Sequence, residues 1–251
     1  MYMDIDEYWK NRGTVRCFSD KPVDMNLIYD LLDKAAHAPT TGNMQLYSVI
    51  VTSDSGNKKR LLPAHFSQPA AVGAPLLLTF CADYNRFTKW CLERKAEPCY
   101  GNFQSFIAAL LDTALLAQQF NTLAELSGLG CCYLGTTTYN APQIAEILKL
   151  PELTVPVITL AVGYPACQVK PADRIPVKGF IHNEEYRPVT SGEIDELYIP
   201  KENLEENIGF VRENGKETLA QVFTDIRYNK KNNEYFSKIF EDFIRYQGFK
   251  S

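Results

Sequence analysis

Apolar residues along this chain repeat with two different periods, and the periods divide it into helices and strands. Leu27, Ile28, Leu31, Leu32, Ala35 and Ala36 lie three and four residues apart, one face of a helix, and Asp24 stands where its N-cap belongs. The stripe ends before Pro39. An earlier helix is expected from Asp4 through Arg12, with Glu7 three residues after Asp4 to complete a capping box. Tyr47–Thr52 reads as a strand and Asn57–Leu62 as a short helix. Leu76–Ala82 is a continuous apolar run, the pattern of a strand covered on both faces. Asn102–Ser127 is the longest helical stretch, carrying Phe106, Ala109, Leu110, Thr113, Leu116, Ala117 and Phe120, with Gly128 as its stop. So apolar a helix is expected at the centre, with little solvent face. Cys131–Thr137 is strand-like, which points the adjacent Cys131 and Cys132 to opposite faces. Pro142–Leu150 is helical, and Val155–Gly163 is the last core strand.

The pattern then changes. Residues 165–200 hold many prolines and charges without a clear period, as a long surface connection would. Residues 201–247 are mostly helical, broken near Asn214-Gly215 and again near Asn229–Asn233. The order of elements implies an α+β or α/β chain: a single domain over residues 1–251, with a core at 5–190 and a helical C-terminal extension at 191–251.

Bulk properties narrow the function. With 26 Lys plus Arg against 30 Asp plus Glu, the net charge is −4, which gives no overall reason to expect nucleic acid as a partner. The longest apolar runs, Ala74–Ala82 and Val155–Val162, are strand-length, so no membrane span is expected. The N-terminus lacks the basic start and apolar stretch of a signal peptide. Seven cysteines without a C-x-x-C pair suit thiols in a reducing cytoplasm. The three histidines, His37, His65 and His182, have no partners at metal-ligand spacing, so no metal is expected. No G-x-S-x-G elbow is present, and Gly128-Leu-Gly130 continues to Tyr133 where a dinucleotide loop needs glycine. Cofactor chemistry is what remains for an enzyme.

Four segments could serve a cofactor. Arg12-Gly-Thr-Val-Arg16 sets two guanidinium groups four residues apart with a hydroxyl between them, suited to a phosphate or an anionic ring edge, and equally to a solvated surface. Ala38–Gln45 is rich in small and amide residues, for a polyhydroxyl ligand or a plain turn. Gly128–Thr136 lets a flat ligand approach the backbone closely. Lys170–Pro176 supplies two late cations.

Together, and in this order, these segments resemble the nitroreductase family. Arg12-Gly-Thr-Val-Arg-Cys-Phe18 is similar to its opening element, and Ala38-Pro-Thr-Thr-Gly-Asn-Met-Gln45 to its A-P-[ST]-x-x-N-x-Q motif. Gln68 with Ala74-Pro75 and Phe80-Cys-Ala-Asp83, then Gly128-Leu-Gly130 with Gly135, then Gly163-Tyr-Pro165 with Arg174-Ile-Pro176, continue the likeness over roughly residues 5–190. The longer C-terminus resembles the larger, NADPH-preferring branch. The resemblance implies an α+β fold with a central mixed, mainly antiparallel sheet flanked by helices, in a homodimer that shares two FMN sites. It implies that Arg12 and Thr14, joined by Gly13, hold the FMN phosphate and that Arg16 lies by the N1–C2 edge of the flavin, where a cation stabilises the reduced ring. Pro39, Thr40 and Thr41 would line the ribityl and ring, with Asn43 and Gln45 completing the site, supplied by either subunit. Gln68 would bond the pyrimidine edge, and Tyr133, Leu134, Gly135 and Thr136 would back one ring face. Arg174 would be a further phosphate ligand. Close relatives carry K-P-R before the last L-P; the order here, Lys170-Pro-Ala-Asp-Arg174, favours Arg174 over Lys170. Gly13 stands where many members have a larger residue, a departure expected to cost little.

The implied activity is NAD(P)H oxidation by ping-pong, with hydride carried by flavin N5 and no catalytic side chain. Nitroaromatics, quinones and free flavins are the implied acceptors. A flavin reductase, another specialised flavoenzyme on the same fold, and a non-catalytic FMN-binding redox sensor remain alternatives. Arg227-Tyr-Asn-Lys-Lys231 clusters three cations at a break between helices. It is either a solvated cluster favoured by a helix C-terminal dipole or, with Lys230 and Lys231 foremost, a site over the flavin mouth for the 2′-phosphate of NADPH.

Overall fold

In the computed structural model residues 5–250 are described. They form two compact units, one reaching to Pro171 and resuming at Phe236, the other spanning Ala172–Tyr235. The first unit begins with α1 (Ile5–Asn11) and α2 (Met25–Ala35). Asp24 caps α2 by accepting from the Asn26 amide at 2.9 Å. The expected cap at Asp4 lies outside the described residues. There follow β1 (Tyr47–Thr52), α3 (Ser55–Leu61), α4 (Pro69–Gly73), β2 (Leu76–Asp83) and α5 (Asn85–Glu93). Then come α6 (Phe103–Leu126), β3 (Gly130–Tyr133), α7 (Ala141–Leu148) and β4 (Thr154–Gly163).

The strands make one sheet in the order β1-β2-β4-β3, and each of these pairings is antiparallel. Every residue of β2 is buried, because both faces of this strand are covered. Leu76, Leu78 and Phe80 pack with Ile28 and Leu31 of α2 and Leu116 and Phe120 of α6. Leu77, on the other face, packs with Leu61 of α3 and Ile144 of α7. Each such side chain contributes about 1.5–3 kcal/mol by leaving water. Cys131 joins the first of these clusters and Cys132 the second, so the adjacent thiols do face opposite ways.

Three expectations are corrected. β3 ends at Tyr133 rather than Thr137. There the Thr137 hydroxyl and amide both turn back to the Leu134 carbonyl, at 2.9 and 3.2 Å, and close a turn instead of extending the ladder. α6 does have a solvent face in the single chain, since Phe103, Leu111 and Leu115 are exposed. The 165–200 connection is not irregular throughout, because α8 (Ser191–Glu202) begins inside it, started by a capping box between Thr190 and Glu193.

α8 belongs to the second unit. Arg187 grips Glu193 with two bonds, at 3.2 and 2.6 Å, and with the Thr190 contacts this holds the Glu193 carboxyl down at about 2. α9 (Glu205–Glu213) ends before Gly215, whose φ of 60° suits a residue without a Cβ. A short α10 (Leu219–Gln221) runs into a π-helical turn at Val222–Arg227. α11 (Lys230–Tyr246) then carries the chain back into the first unit. The second break therefore falls at Tyr228-Asn229, and Asn229 caps α11 by accepting from the Asn232 amide at 3.0 Å. Among the described residues no helix is long and apolar enough to cross a membrane.

Candidate functional site

Glycine positions draw two distant parts of the chain together. The segment after α1 runs along β3, with the Val15 amide donating to the Cys131 carbonyl at 3.1 Å. It then meets the end of β4, where Phe18 and Pro165 form an antiparallel bridge. A Cβ on Gly130 would lie 2.4 Å from Val15, so the small residue there admits a side chain of the protein itself and not a flat ligand. A Cβ on Gly13 would lie 2.3 Å from Val169 and 2.7 Å from the Lys170 carbonyl. A larger residue at position 13 would thus push away the segment bearing Lys170, so the close approach of that segment calls for glycine here. It also sets Lys170 beside Arg12 and Thr14, although the motif spacing favoured Arg174. Arg174 falls in the second unit, exposed, its guanidinium donating to the Ala172 and Asp173 carbonyls at 3.3 and 2.8 Å.

Around this junction lies a cavity of about 240 Å³, lined in part by Tyr8, Arg12, Gly13, Glu125, Gly128 and Val169. Arg12 does not stand alone in it. Its Nε and a terminal nitrogen donate to the two oxygens of Glu125 at 3.2 and 3.4 Å, and the Tyr8 hydroxyl donates to the same carboxylate at 2.6 Å. Burial, and then the bond to Glu125, push the Tyr8 phenol up to about 12. Thr14 is half-buried and Arg16 exposed.

The 133–136 turn alternates. Tyr133 and Gly135 face outward, and a Cβ on Gly135 would meet no atom within 4 Å. The Tyr133 hydroxyl donates to Gln118 of α6 at 3.2 Å. Leu134 and Thr136 point into the core. Thr136 bonds through its hydroxyl to Nδ1 of His65 at 3.1 Å, and the His65 carbonyl accepts from the Gln68 amide at 3.1 Å. One buried histidine therefore ties the Gln68 element to the 133–136 turn. Burial lowers its imidazole to about 4, so the ring is neutral, and its Nε2 has no hydrogen-bond partner. Beside it Phe66 is exposed at a φ of 53°, 6.0 Å from the ring of Phe236, which stacks on Tyr139 at 4.4 Å.

The 38–45 loop is held elsewhere. Asp112, 2% exposed in the middle of α6, accepts from the Thr41 amide at 2.8 Å, the Thr41 hydroxyl at 2.9 Å and the Leu46 amide at 3.3 Å. Arg86 clamps the Gln45 and Tyr47 carbonyls. Asn43 and Gln45 bond each other through their amides at 3.2 Å, while Pro39 is exposed and Thr40 half-buried. Asp112 and Glu125 are thirteen residues apart on one helix, so the 38–45 loop and Arg12 are anchored about 20 Å apart. A single chain brings together Arg12, Gly13, Thr14, Arg16, Lys170 and, through His65, Gln68 with the 133–136 turn. The 38–45 loop is anchored apart from Arg12, at Asp112.

In the second unit Arg227 lies over the ring of Phe210, 4.4 Å from its centre. Lys230 pairs with Glu234 at 3.7 Å, and both lysines open the first turn of α11. That is a helix N-terminus, so the cluster is not one favoured by a C-terminal dipole; the dipole there favours anions.

Sequence reasoning missed Asp112, Glu125, Tyr8 and His65. The two carboxylates did carry a signal, being the only charged residues of α6.

The profile of the Nitroreductase family matches residues 9–164. A curated FMN reductase (NADPH) of Bacillus subtilis is 32% identical over 70% of this chain and 72% of its own. A solved structure from Bacteroides fragilis is 52% identical, covers 98% of this chain and 100% of that one, and superposes with a TM-score of 0.96. The NfrA1 nitroreductase of Bacillus subtilis, 26% identical over 98% of this chain and 99% of its own, gives 0.85.

Proposed function

The chain belongs to the nitroreductase family and is a flavin-dependent NAD(P)H oxidoreductase, and we propose that it acts by ping-pong on flat electron acceptors as a cytoplasmic homodimer. The observation that carries the site is the contact of Gly13 with Val169 and Lys170. It brings the Val169-Lys170 backbone against Gly13, between Arg12 and Arg16, beside a cavity that Arg12, Gly13 and Val169 line, in a chain of net charge −4. The residues present fit FMN: a cationic donor set with a threonine hydroxyl for the phosphate, and an open backbone face at Gly135 for a planar ring. When bound, FMN would supply two-electron transfer between NAD(P)H and the acceptor.

The chain's own residues bind and orient. Arg12, Thr14 and Lys170 would hold the phosphate, and Arg16 would offset negative charge on the reduced ring. Gln68 and the Tyr133–Thr136 turn, locked by His65, would present one ring face. Phe66, Phe236 and Tyr139 form an apolar aromatic surface beside Gln68, which supports flat acceptors such as nitroaromatics, quinones or free flavins. The separation of the 38–45 loop from Arg12 supports a dimer in which Thr41, Asn43 and Gln45 of one subunit complete the site of the other. The exposed Leu111 and Leu115 of α6 offer the apolar face such a dimer would cover. Lys230 and Lys231, at a helix N-terminus, suit the 2′-phosphate of NADPH.

One experiment tests this. Flavin released by denaturing the purified protein is identified by mass, and the holoprotein is mixed anaerobically with NADPH or NADH while its flavin absorbance is followed. FMN and rapid bleaching are expected. Release of FAD, or failure to bind FMN on reconstitution, overturns the site. Bound FMN without bleaching would favour a redox sensor.

A further inference from the structure

We propose that Cys17 and Cys167 are a dithiol site that closes to a disulfide on exposure to a peroxide and thereby locks the two segments bearing the candidate phosphate cations. The locking half rests on the FMN reading above, whereas the disulfide half does not.

The backbone sets the pair. Phe18 and Pro165 form an antiparallel bridge, so the next register position places Cys17 opposite Ala166. The Ala166 amide donates to the Cys17 carbonyl at 3.0 Å, and Cys167 is the next residue. Cys167 is therefore the diagonal neighbour of Cys17 on a hydrogen-bonded segment, at a bend where the strict side-to-side alternation of a ladder is broken. The neighbouring Cys17 thiol raises Cys167 above an ordinary thiol. Both are exposed.

The other five cysteines sharpen the choice. Cys81, Cys91, Cys131 and Cys132 are buried, and burial pushes the thiols of Cys81, Cys131 and Cys132 up, away from the reactive thiolate. Cys99 is exposed but sits in a different segment, ahead of α6. The raised Cys167 is the poorer nucleophile of an exposed pair, so Cys17 is assigned as the sulfur that attacks. Its thiolate takes one peroxide oxygen to form a sulfenic acid, and the second oxygen leaves as water. The Cys167 sulfur then attacks the Cys17 sulfur and displaces a second water. In balance, two thiols and one hydrogen peroxide give one disulfide and two waters. Cys17 directly follows Arg16, and Cys167 is three residues before Lys170, so the bond fixes both arms of the cation cluster relative to each other.

The test treats the holoprotein with hydrogen peroxide, blocks remaining thiols with an alkylating reagent and maps peptides by mass. The expected product is a Cys17–Cys167 linked peptide lacking two hydrogens, restored to two thiols by dithiothreitol. In Cys17→Ser the link is absent. In Cys167→Ser a sulfenic acid at Cys17 is trapped by dimedone. Both cysteines found alkylated, or linked only to Cys99 or between chains, would overturn the site. FMN release after dilution, followed by flavin fluorescence, should slow about threefold or more in the oxidised protein and not in Cys17→Ser. Equal rates would overturn the locking. A protein that never binds FMN leaves the mass result intact and counts against the flavin reading alone.

Discussion

Asp112 and Glu125 are buried on the same helix, and each anchors one loop of the candidate site, with opposite chemistry. Asp112 meets only neutral donors: two backbone amides and a hydroxyl, from Thr41 and Leu46. Glu125 meets a guanidinium and a phenol, from Arg12 and Tyr8. Neutral donors aimed at a buried carboxylate fix a backbone, because every bond is charge-assisted and none can be traded for another ion. A cation aimed at a carboxylate fixes a charge instead. The Arg12 side chain keeps 22% of its surface open, against 6% for Glu125, so it can turn part of its fork to a second anion. The Glu125 charge also opposes that anion. On the proposed reading, phosphate affinity at this end would depend on Lys170 and Arg16 adding cations that Glu125 does not offset. One anchor makes a rigid loop and the other a poised cation.

The largest effect is expected at the rigid end. Asp112→Ala orphans three donors at once, and the loss should be about 3–5 kcal/mol in urea denaturation, Thr41 regaining some solvation. Asp112→Asn keeps the shape and should lose about half as much. If both lose under about 1 kcal/mol, Asp112 does not hold the loop and the comparison fails.

His65 is a third anchor, neutral and wholly buried. Its folded value of about 4 lies below the ordinary 6.5. Between these pH values the unfolded chain binds more protons, so stability rises with pH through the window and is complete above it. The span corresponds to about 3 kcal/mol. His65→Gln should flatten that slope between pH 4 and 6.5, measured by denaturation at each pH. It should also change FMN affinity, because Thr136 and Gln68 lose their common tie. An unchanged slope would show that the ring does not titrate against burial.

Much of this architecture is legible in the sequence, and the limits follow from the same physics. β1, β2, β4 and α6 read correctly because burial on one or both faces imposes a period or a continuous run. α8 was hidden, since its marker, Thr190 with Glu193, lies in a proline-rich stretch with no apolar period. The loops of the site read as motifs, yet their anchors did not. Asp112 and Glu125 bond to residues sixty-six or more positions away, and no local pattern announces such a partner. The need for glycine at position 13 was not legible, because the chain it admits, Val169-Lys170, arrives from the far end of the domain.

At the poised end Arg12→Ala leaves Glu125 buried without its cation. The expected cost is about 2–3 kcal/mol, below the roughly 3–5 kcal/mol of a fully buried broken pair because solvent reaches it. FMN affinity should fall by about 1–3 kcal/mol. The double variant Arg12→Ala with Glu125→Gln removes the stranded charge, so stability should recover while FMN affinity does not. Recovery of both would mean that Arg12 serves the fold and not the phosphate.

The smallest effect separates the phenol from the cation. Tyr8→Phe removes one donor from Glu125 and leaves Arg12 in place, so the loss should be about 1 kcal/mol. FMN affinity should stay the same, since the hydroxyl is directed at the carboxylate and carries no charge. The pH dependence gives a second reading. The folded phenol titrates near 12, above its ordinary 10. Between those values the folded state holds a proton that the unfolded chain has lost, so stability is complete below pH 10 and declines as pH rises to 12. The phenylalanine variant has no such proton and should lose that decline. A variant that weakens FMN binding as much as Arg12→Ala would show that Tyr8 and Arg12 act as one unit, and the contrast between a rigid anchor and a poised cation would then have to be drawn at the triad rather than at the guanidinium.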